Sequence, residues 1–338
     1  MPDSVHVSID DFIQRLPKPE THLHIEGALP WELINELEPG RFPSPPASWA
    51  EDYRFPSFAA FETELLDMAG AWYQTPERYH IAAKRILKRL KEEQNVRYLE
   101  TSFASGVLEY FGINGQEVAR AIKQAAPPGM EVRVFMGIHH DGYTDQSRGF
   151  IEDSLNWPEM DGLDLHGAEE TPLEDWTFDL WERARACGKF TKAHAGEFMG
   201  PDFVLRVIEE LGVNRIQHGV RSAEDPDALL QLVAAGVRMD VCPISNVKLG
   251  VVPSMEAHPI RELMAAGIPC TISTDDPISF GNSLKDEYRA LHASLGFSAD
   301  ELALLAINGF EQALVEPSIK ADWIQEVRVC LEAYRKAR

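Results

Sequence analysis

The chain has 338 residues, 44% of them apolar, enough for one large core or two modest ones. It carries 32 Lys and Arg against 54 Asp and Glu, a net charge of −22, which opposes binding to the phosphate backbone of nucleic acids and to anionic membrane surfaces. Its four cysteines are scattered with no C-x-x-C pair, so neither a thiolate zinc cluster nor a disulfide scaffold is indicated.

The first twenty residues, MPDSVHVSIDDFIQRLPKPE, have no basic start and no apolar run. No later stretch approaches the ~20 apolar residues of a membrane span. Both observations predict a cytoplasmic, reduced protein. The first strand-like run is THLHIEG (21–27). A long excursion follows over 28–95, with a proline-rich loop at 39–49, an aromatic helix-like stretch at 55–73 and a helix over 82–93. It can serve as a lid at one end of the fold or as surface decoration.

From residue 96 the pattern alternates. Strand-like runs fall at 96–104, 131–140, 160–169, 190–197, 215–220, 238–245 and 270–277. Most are apolar on both faces, as a parallel sheet covered by helices requires. Helical periodicity occupies 115–126, 173–187, 203–211, 225–235 and 260–266. Gly188, Gly212, Gly236 and Gly267 follow four of these helices, where a C-cap glycine belongs. About three helical segments after Asp276 are expected to pack across the structure. Eight strands alternating with helices predict one domain over 1–338, an α/β protein with a (β/α)₈ TIM barrel and extra helices after strand 1 and at the C-terminus. An open doubly wound sheet is the competing architecture, but its glycine-rich phosphate turn is missing.

Seven of the eleven histidines lie inside these runs: His22, His24, His139, His140, His166, His194 and His218. Most are near the C-terminal end of their run, the end where barrels build active sites. His22 and His24 are two apart on a strand, so both side chains point the same way. Such a pair can grip one metal, although alone it is a weak signal. His194 can add a third nitrogen and Asp275 a carboxylate oxygen. Three nitrogens and one oxygen suit Zn²⁺ with a position left for water. An isolated Asp-Asp-Pro is more often a helix cap, and an isolated strand histidine more often structural. Glu197, three residues after His194, can lie over the metal without binding it. His218 and Asp276 can orient and deprotonate a water there, while a carboxylic acid opposite protonates the electrophile.

PKPETHLHIEGAL, HAGE, RIQHG, PISN and STDDP, in this order, resemble the adenosine/adenine deaminase family of the amidohydrolase superfamily, over residues 16–314. The resemblance implies a mononuclear zinc barrel that hydrolyses the 6-amino group of a purine and releases ammonia. It implies that His22, His24, His194 and Asp275 bind one zinc, and that Glu197 protonates purine N1. His218 and Asp276 would position and activate the attacking hydroxide. Gly167, in DLHGAEE, matches a glycine whose N–H meets purine N3, and Ser245 and Asn246 match an SN motif without an assigned role.

Two positions depart from the nucleoside-specific members. Glu26 stands where they carry Asp to hold the ribose, and its extra methylene moves the carboxylate by about 1.3–1.5 Å. It therefore points to free adenine or another modified purine. Ala168 replaces an Asp found in many members. His139, His140 and His166 either line the pocket or are structural.

Three competing functions remain open on the sequence. A binuclear amidohydrolase would use a carboxylated lysine, and Lys192 lies two residues before His194 on the same strand. A non-catalytic purine binder would not need Glu197, His218 and Asp276. A nucleic-acid deaminase would carry H-x-E and P-C-x-x-C, which are absent.

Overall fold

The computed structural model describes residues 7–337. Eight parallel strands run in chain order: β1 Lys18–His24, β2 Val96–Ala104, β3 Glu131–His139, β4 Gly162–His166, β5 Phe190–Ala195, β6 Arg215–His218, β7 Arg238–Val241 and β8 Cys270–Ile272. Each pairs with the next. The last seam closes just beyond β8, where Leu23 bridges Asp275. There the Asp275 N–H donates to His22 O at 3.1 Å and the His24 N–H to Asp275 O at 3.2 Å. The result is the expected (β/α)₈ barrel.

All eight expected strands are present, but seven of them stop at the C-terminal side one to five residues before the sequence pattern does. The apolar pattern continues because the residues stay buried, while the ladder ends because the chain turns. Two of the turns are in left-handed backbone: His218 at φ 64° and Asp275 at φ 64°. Such a conformation costs a non-glycine residue on the order of 1–3 kcal/mol and persists only where the surroundings impose it. Strand β1 also begins three residues earlier than expected, because Lys18 pairs with Val96.

The helices lie where their periodicity placed them. Gly212 and Gly267 end the helices Pro201–Leu211 and Ile260–Ala266 at φ 63° and 102°, which returns the chain to the next strand. After Asp276 come a short turn of helix, Pro277–Phe280, and three longer helices, Leu284–Leu295, Ala299–Gln312 and Pro317–Ala337. The middle one crosses the N-terminal end of the barrel. Asn308 Nδ2 donates to Cys270 O at 2.9 Å and Gln312 Nε2 to Asp240 Oδ1 at 2.6 Å.

The excursion after β1 is more than decoration. Its helix Phe58–Trp72 forms one wall of a cavity at the C-terminal end of the barrel. An aromatic cluster holds it there: Phe61 stacks on Phe280 at 5.4 Å, and Phe58 meets Phe198 at 5.1 Å. Among the described residues no helix is long and apolar enough to cross a membrane.

Candidate active site

His22 and His24 project together from the end of β1, His194 comes from β5 across the barrel, and Asp275 follows β8. The four ligand atoms converge. His22 Nε2 lies 3.0 Å from His194 Nε2, and His24 Nε2 lies 3.3 Å from the same atom. Asp275 Oδ1 is 3.2 Å from His22 Nε2 and 3.3 Å from His24 Nε2.

Each ring is held from behind. His194 Nδ1 faces Leu165 O at 2.9 Å and Asp164 Oδ1 at 3.2 Å. His24 Nδ1 meets Ser102 Oγ at 3.0 Å, and His22 Nδ1 lies 3.4 Å from Asp240 O. Ser245 Oγ donates to Asp275 Oδ2 at 2.7 Å. With ring protons on the Nδ1 side, lone pairs crowd into one spot, a repulsive arrangement unless a cation occupies it. Donors about 2.0–2.1 Å from a tetrahedral centre sit about 3.3–3.4 Å apart, so this set fits a small divalent ion. Among the described residues, the other possible ligand groups, His22–His218–Cys242 and Glu197–His218–Asp275, overlap this one.

The electrostatics point the same way. Burial pushes His194 down to about 4, so its ring is neutral. Burial opposes a charge on His24 as well, yet the carboxylates of Asp276 and Asp275 lift it to about 9. Those carboxylates draw a positive charge into the cluster, which a metal ion satisfies in place of a proton.

Around the cluster lie the groups expected to move protons. Glu197 is 5% exposed, its Oε1 has no partner, and its Oε2 is 3.5 Å from His218 Nε2. Burial raises its pKa far above the usual carboxylate range, and Asp275, Glu169 and Asp276 add to the rise. Both causes favour the protonated form of its carboxyl. Asp276 is likewise buried with Oδ1 unpartnered.

Glu26, Gly167, His139 and His166 line the same cavity. His166 stacks on His24 at 5.3 Å. His140 does not line the cavity: its Nδ1 pairs with Thr171 O at 2.8 Å and its ring stacks on Phe203, a structural role. Glu26 accepts from Tyr79 Oη at 2.6 Å and from the Ala104 N–H at 3.2 Å, both on Oε1. Lys192 stays out of the site. Its Nζ is 3.5 Å from Glu100, 3.2 Å from Thr21 O and 4.4 Å from the centre of the Phe135 ring, below the cluster. A bridging carboxylated lysine has no place here.

The sequence reading missed Glu169, which accepts backbone N–H bonds from Glu197 and Phe198 at 3.0 Å each and from Met199, and so fixes the loop carrying Glu197. It also missed Asp164 and Ser102, which back the ligand rings. Their even spacing from His166 and Glu100 along β4 and β2 was the available signal.

Comparison with known proteins places this geometry. The family model for adenosine deaminase matches residues 17–329. The chain belongs to the adenosine deaminase family. It is 34% identical to an adenine deaminase of Geotalea uraniireducens, over 95% of this chain and 93% of that one. It is 31% identical to an aminodeoxyfutalosine deaminase of Streptomyces coelicolor, over 94% and 84%. The crystal structure of an adenine deaminase from Arthrobacter aurescens superposes with a TM-score of 0.83 at 26% identity, over 94% of this chain and 99% of that one. As a member of this family, the protein is a hydrolase of C–N bonds in cyclic amidines that deaminates a purine.

Packing at Gly27 supplies a test of Asp276. A Cβ at position 27 would stand 1.7 Å from Asp276 Oδ1. Gly27→Ala must therefore push that carboxylate aside. We expect kcat to fall at least ~10²-fold with metal content unchanged, as for loss of a proton-transfer group. Unaltered kcat in this variant would remove Asp276 from the chemistry.

Proposed function

We propose that the whole chain acts as one catalytic domain, a cytoplasmic deaminase with one zinc ion per chain that converts a 6-aminopurine into the 6-oxopurine and ammonia. The supporting observation is the convergence of three Nε2 atoms and one carboxylate oxygen beside the buried, unpartnered Glu197 Oε1 and Asp276 Oδ1. The four free cysteines, two of them buried, accord with a reducing compartment.

His22, His24, His194 and Asp275 hold the metal. When bound, zinc supplies a Lewis acid that makes hydroxide available near pH 7. Glu197 gives its proton to N1 and so makes C6 electrophilic. Asp276 accepts a proton from the attacking oxygen and returns it to the departing amine, and His218 orients that oxygen. Over the cycle one water proton ends on N1 and the other on ammonia. Gly167 offers its N–H to N3, and Glu26 faces the N9 side.

The substrate reading rests on the cavity wall. Glu26 and Glu62 line it, and among the described residues no Lys or Arg does. A phosphate on the substrate would meet carboxylates instead of cations, at a cost. Oε1 of Glu26 is already engaged by Tyr79 and Ala104, which leaves Oε2 for a ring N–H. A free base presents that N–H and a nucleoside does not, so adenine is favoured over adenosine and over nucleotides.

Metal content, the kinetics of site variants and substrate preference check this. Elemental analysis should find close to one equivalent of zinc. Asp275→Ala should lose metal and activity together and unfold at lower urea, because an ion bound only to the folded state stabilises it. Glu197→Gln should keep the metal while kcat drops by about 10²–10⁴; loss of the metal in this variant would make Glu197 a ligand instead. Against a panel of adenine, adenosine, AMP and N6-substituted purines, adenine should give the highest kcat/KM. Glu26→Asp should shift the ratio toward adenosine by about tenfold to a hundredfold. A wild-type preference for adenosine beyond that range would reject the role given to Glu26.

A further inference from the structure

Behind His218 lies a line of buried polar side chains that the chemistry above leaves unexplained. Asn246 sits on the helix Pro243–Lys248 and His258 just before the helix Ile260–Ala266. Asn246 is fully buried, and His258 is 3% exposed. His218 Nδ1 is 3.2 Å from Asn246 Nδ2, and Asn246 Oδ1 is 3.2 Å from His258 Nε2. The Ile260 N–H donates to His258 Nδ1 at 3.2 Å.

The direction of every bond follows from the last one. A backbone N–H can only donate, so His258 Nδ1 accepts and carries no proton. Burial pushes His258 down to about 3, so the ring is neutral and its single proton is on Nε2. That proton is donated to Asn246 Oδ1. The amide nitrogen of Asn246 therefore faces His218, and an amide nitrogen is only a donor. Reversing the amide would make His258 accept at both nitrogens, which a neutral imidazole cannot do. His218 Nδ1 is thus the acceptor, and the proton of its neutral ring is on Nε2. That atom is 3.5 Å from Glu197 Oε2 and 3.9 Å from Asp275 Oδ2, on the cavity side.

We propose that Asn246 and His258 are positioning residues that lock His218 as its Nε2–H tautomer, so that His218 donates a hydrogen bond to the attacking oxygen and is not the base that deprotonates it. The inference rests on the deaminase reading of the site and assigns the proton-accepting role to Asp276 alone. His218 keeps its proton throughout the attack, and the O–H proton of water passes to the Asp276 carboxylate. The arrangement resembles other enzymes in which a fixed partner selects a histidine tautomer and the wrong tautomer costs about 10⁴ in kcat.

Two-bond ¹H–¹⁵N spectra of the zinc-loaded enzyme labelled with ¹⁵N-histidine read the tautomer directly, with His218→Gln to assign the signal. His218 should show a protonated Nε2 and a bare Nδ1. Asn246→Asp puts an acceptor where the amide donor was and should move the proton to Nδ1. In that variant kcat should fall by about 10²–10⁴, while KM changes less than about threefold and zinc stays near one equivalent. His258→Leu should lower kcat in the same way, and His258→Gln, which keeps an N–H donor toward Asn246, should restore most of it. A wild-type His218 protonated at Nδ1, or a reversed tautomer with unchanged kcat, overturns the proposal. If the wild-type enzyme deaminates no purine in the panel, the functional reading fails, and the tautomer spectrum still decides the relay on its own. If Asn246→Asp does not fold, the wild-type spectrum and the His258 pair decide it.

Discussion

The seam that closes the barrel is also the contact that assembles the ligand cluster. Two backbone hydrogen bonds join Asp275 to His22 and His24, and the side chains of the same three residues converge. Barrel closure therefore sets the distance between the first motif and the last, which lie some 250 residues apart in the chain. The left-handed backbone of Asp275 turns its carboxylate inward at that seam. This conformation is unfavourable by itself and persists because the bonds on both sides impose it. The candidate metal site and the fold thus share one constraint.

Below the cluster the barrel is filled by charges arranged in partnership. Arg215 bridges Glu100 at 3.1 Å and Asp240 at 2.7 Å, and Lys192 approaches Glu100 from the other side. Asp240 also accepts from Thr21 and Thr271 at 2.8 Å each. Each of these charges has an opposite charge and further hydrogen bonds, as burial demands. The layer separates Lys192 from the ligands. Lys192 and His194 share a face of β5, but a two-residue step along a strand is about 6.6 Å, enough to place one among the candidate metal ligands and the other among the buried ion pairs.

The substrate side depends on the excursion after β1. Tyr79, from the helix Pro76–Gln94, orients Glu26, and the helix Phe58–Trp72 supplies the apolar wall over the cavity. Chemistry and substrate choice therefore reside in different segments. The strand ends carry the candidate ligands and the groups proposed to transfer protons, while the inserted helices shape what can lie against them.

The sequence by itself determined the barrel and named most of the residues that converge at its C-terminal end. Strand and helix periods are properties of the local backbone, so the alternation of runs was legible, as was the inward pairing of His22 with His24. The motif order carried the family, and with it the roles proposed for Glu197, His218 and Asp276. What only the tertiary structure decided was depth and partnership across the barrel: Lys192 against Glu100, Glu169 under the loop of Glu197, Tyr79 on Glu26, and His258 behind Asn246. It also separated His139 and His166, which line the cavity, from His140, which does not. These contacts join residues far apart in the chain. Their distances depend on strand stagger and on how the inserted helices pack, quantities that no local period encodes.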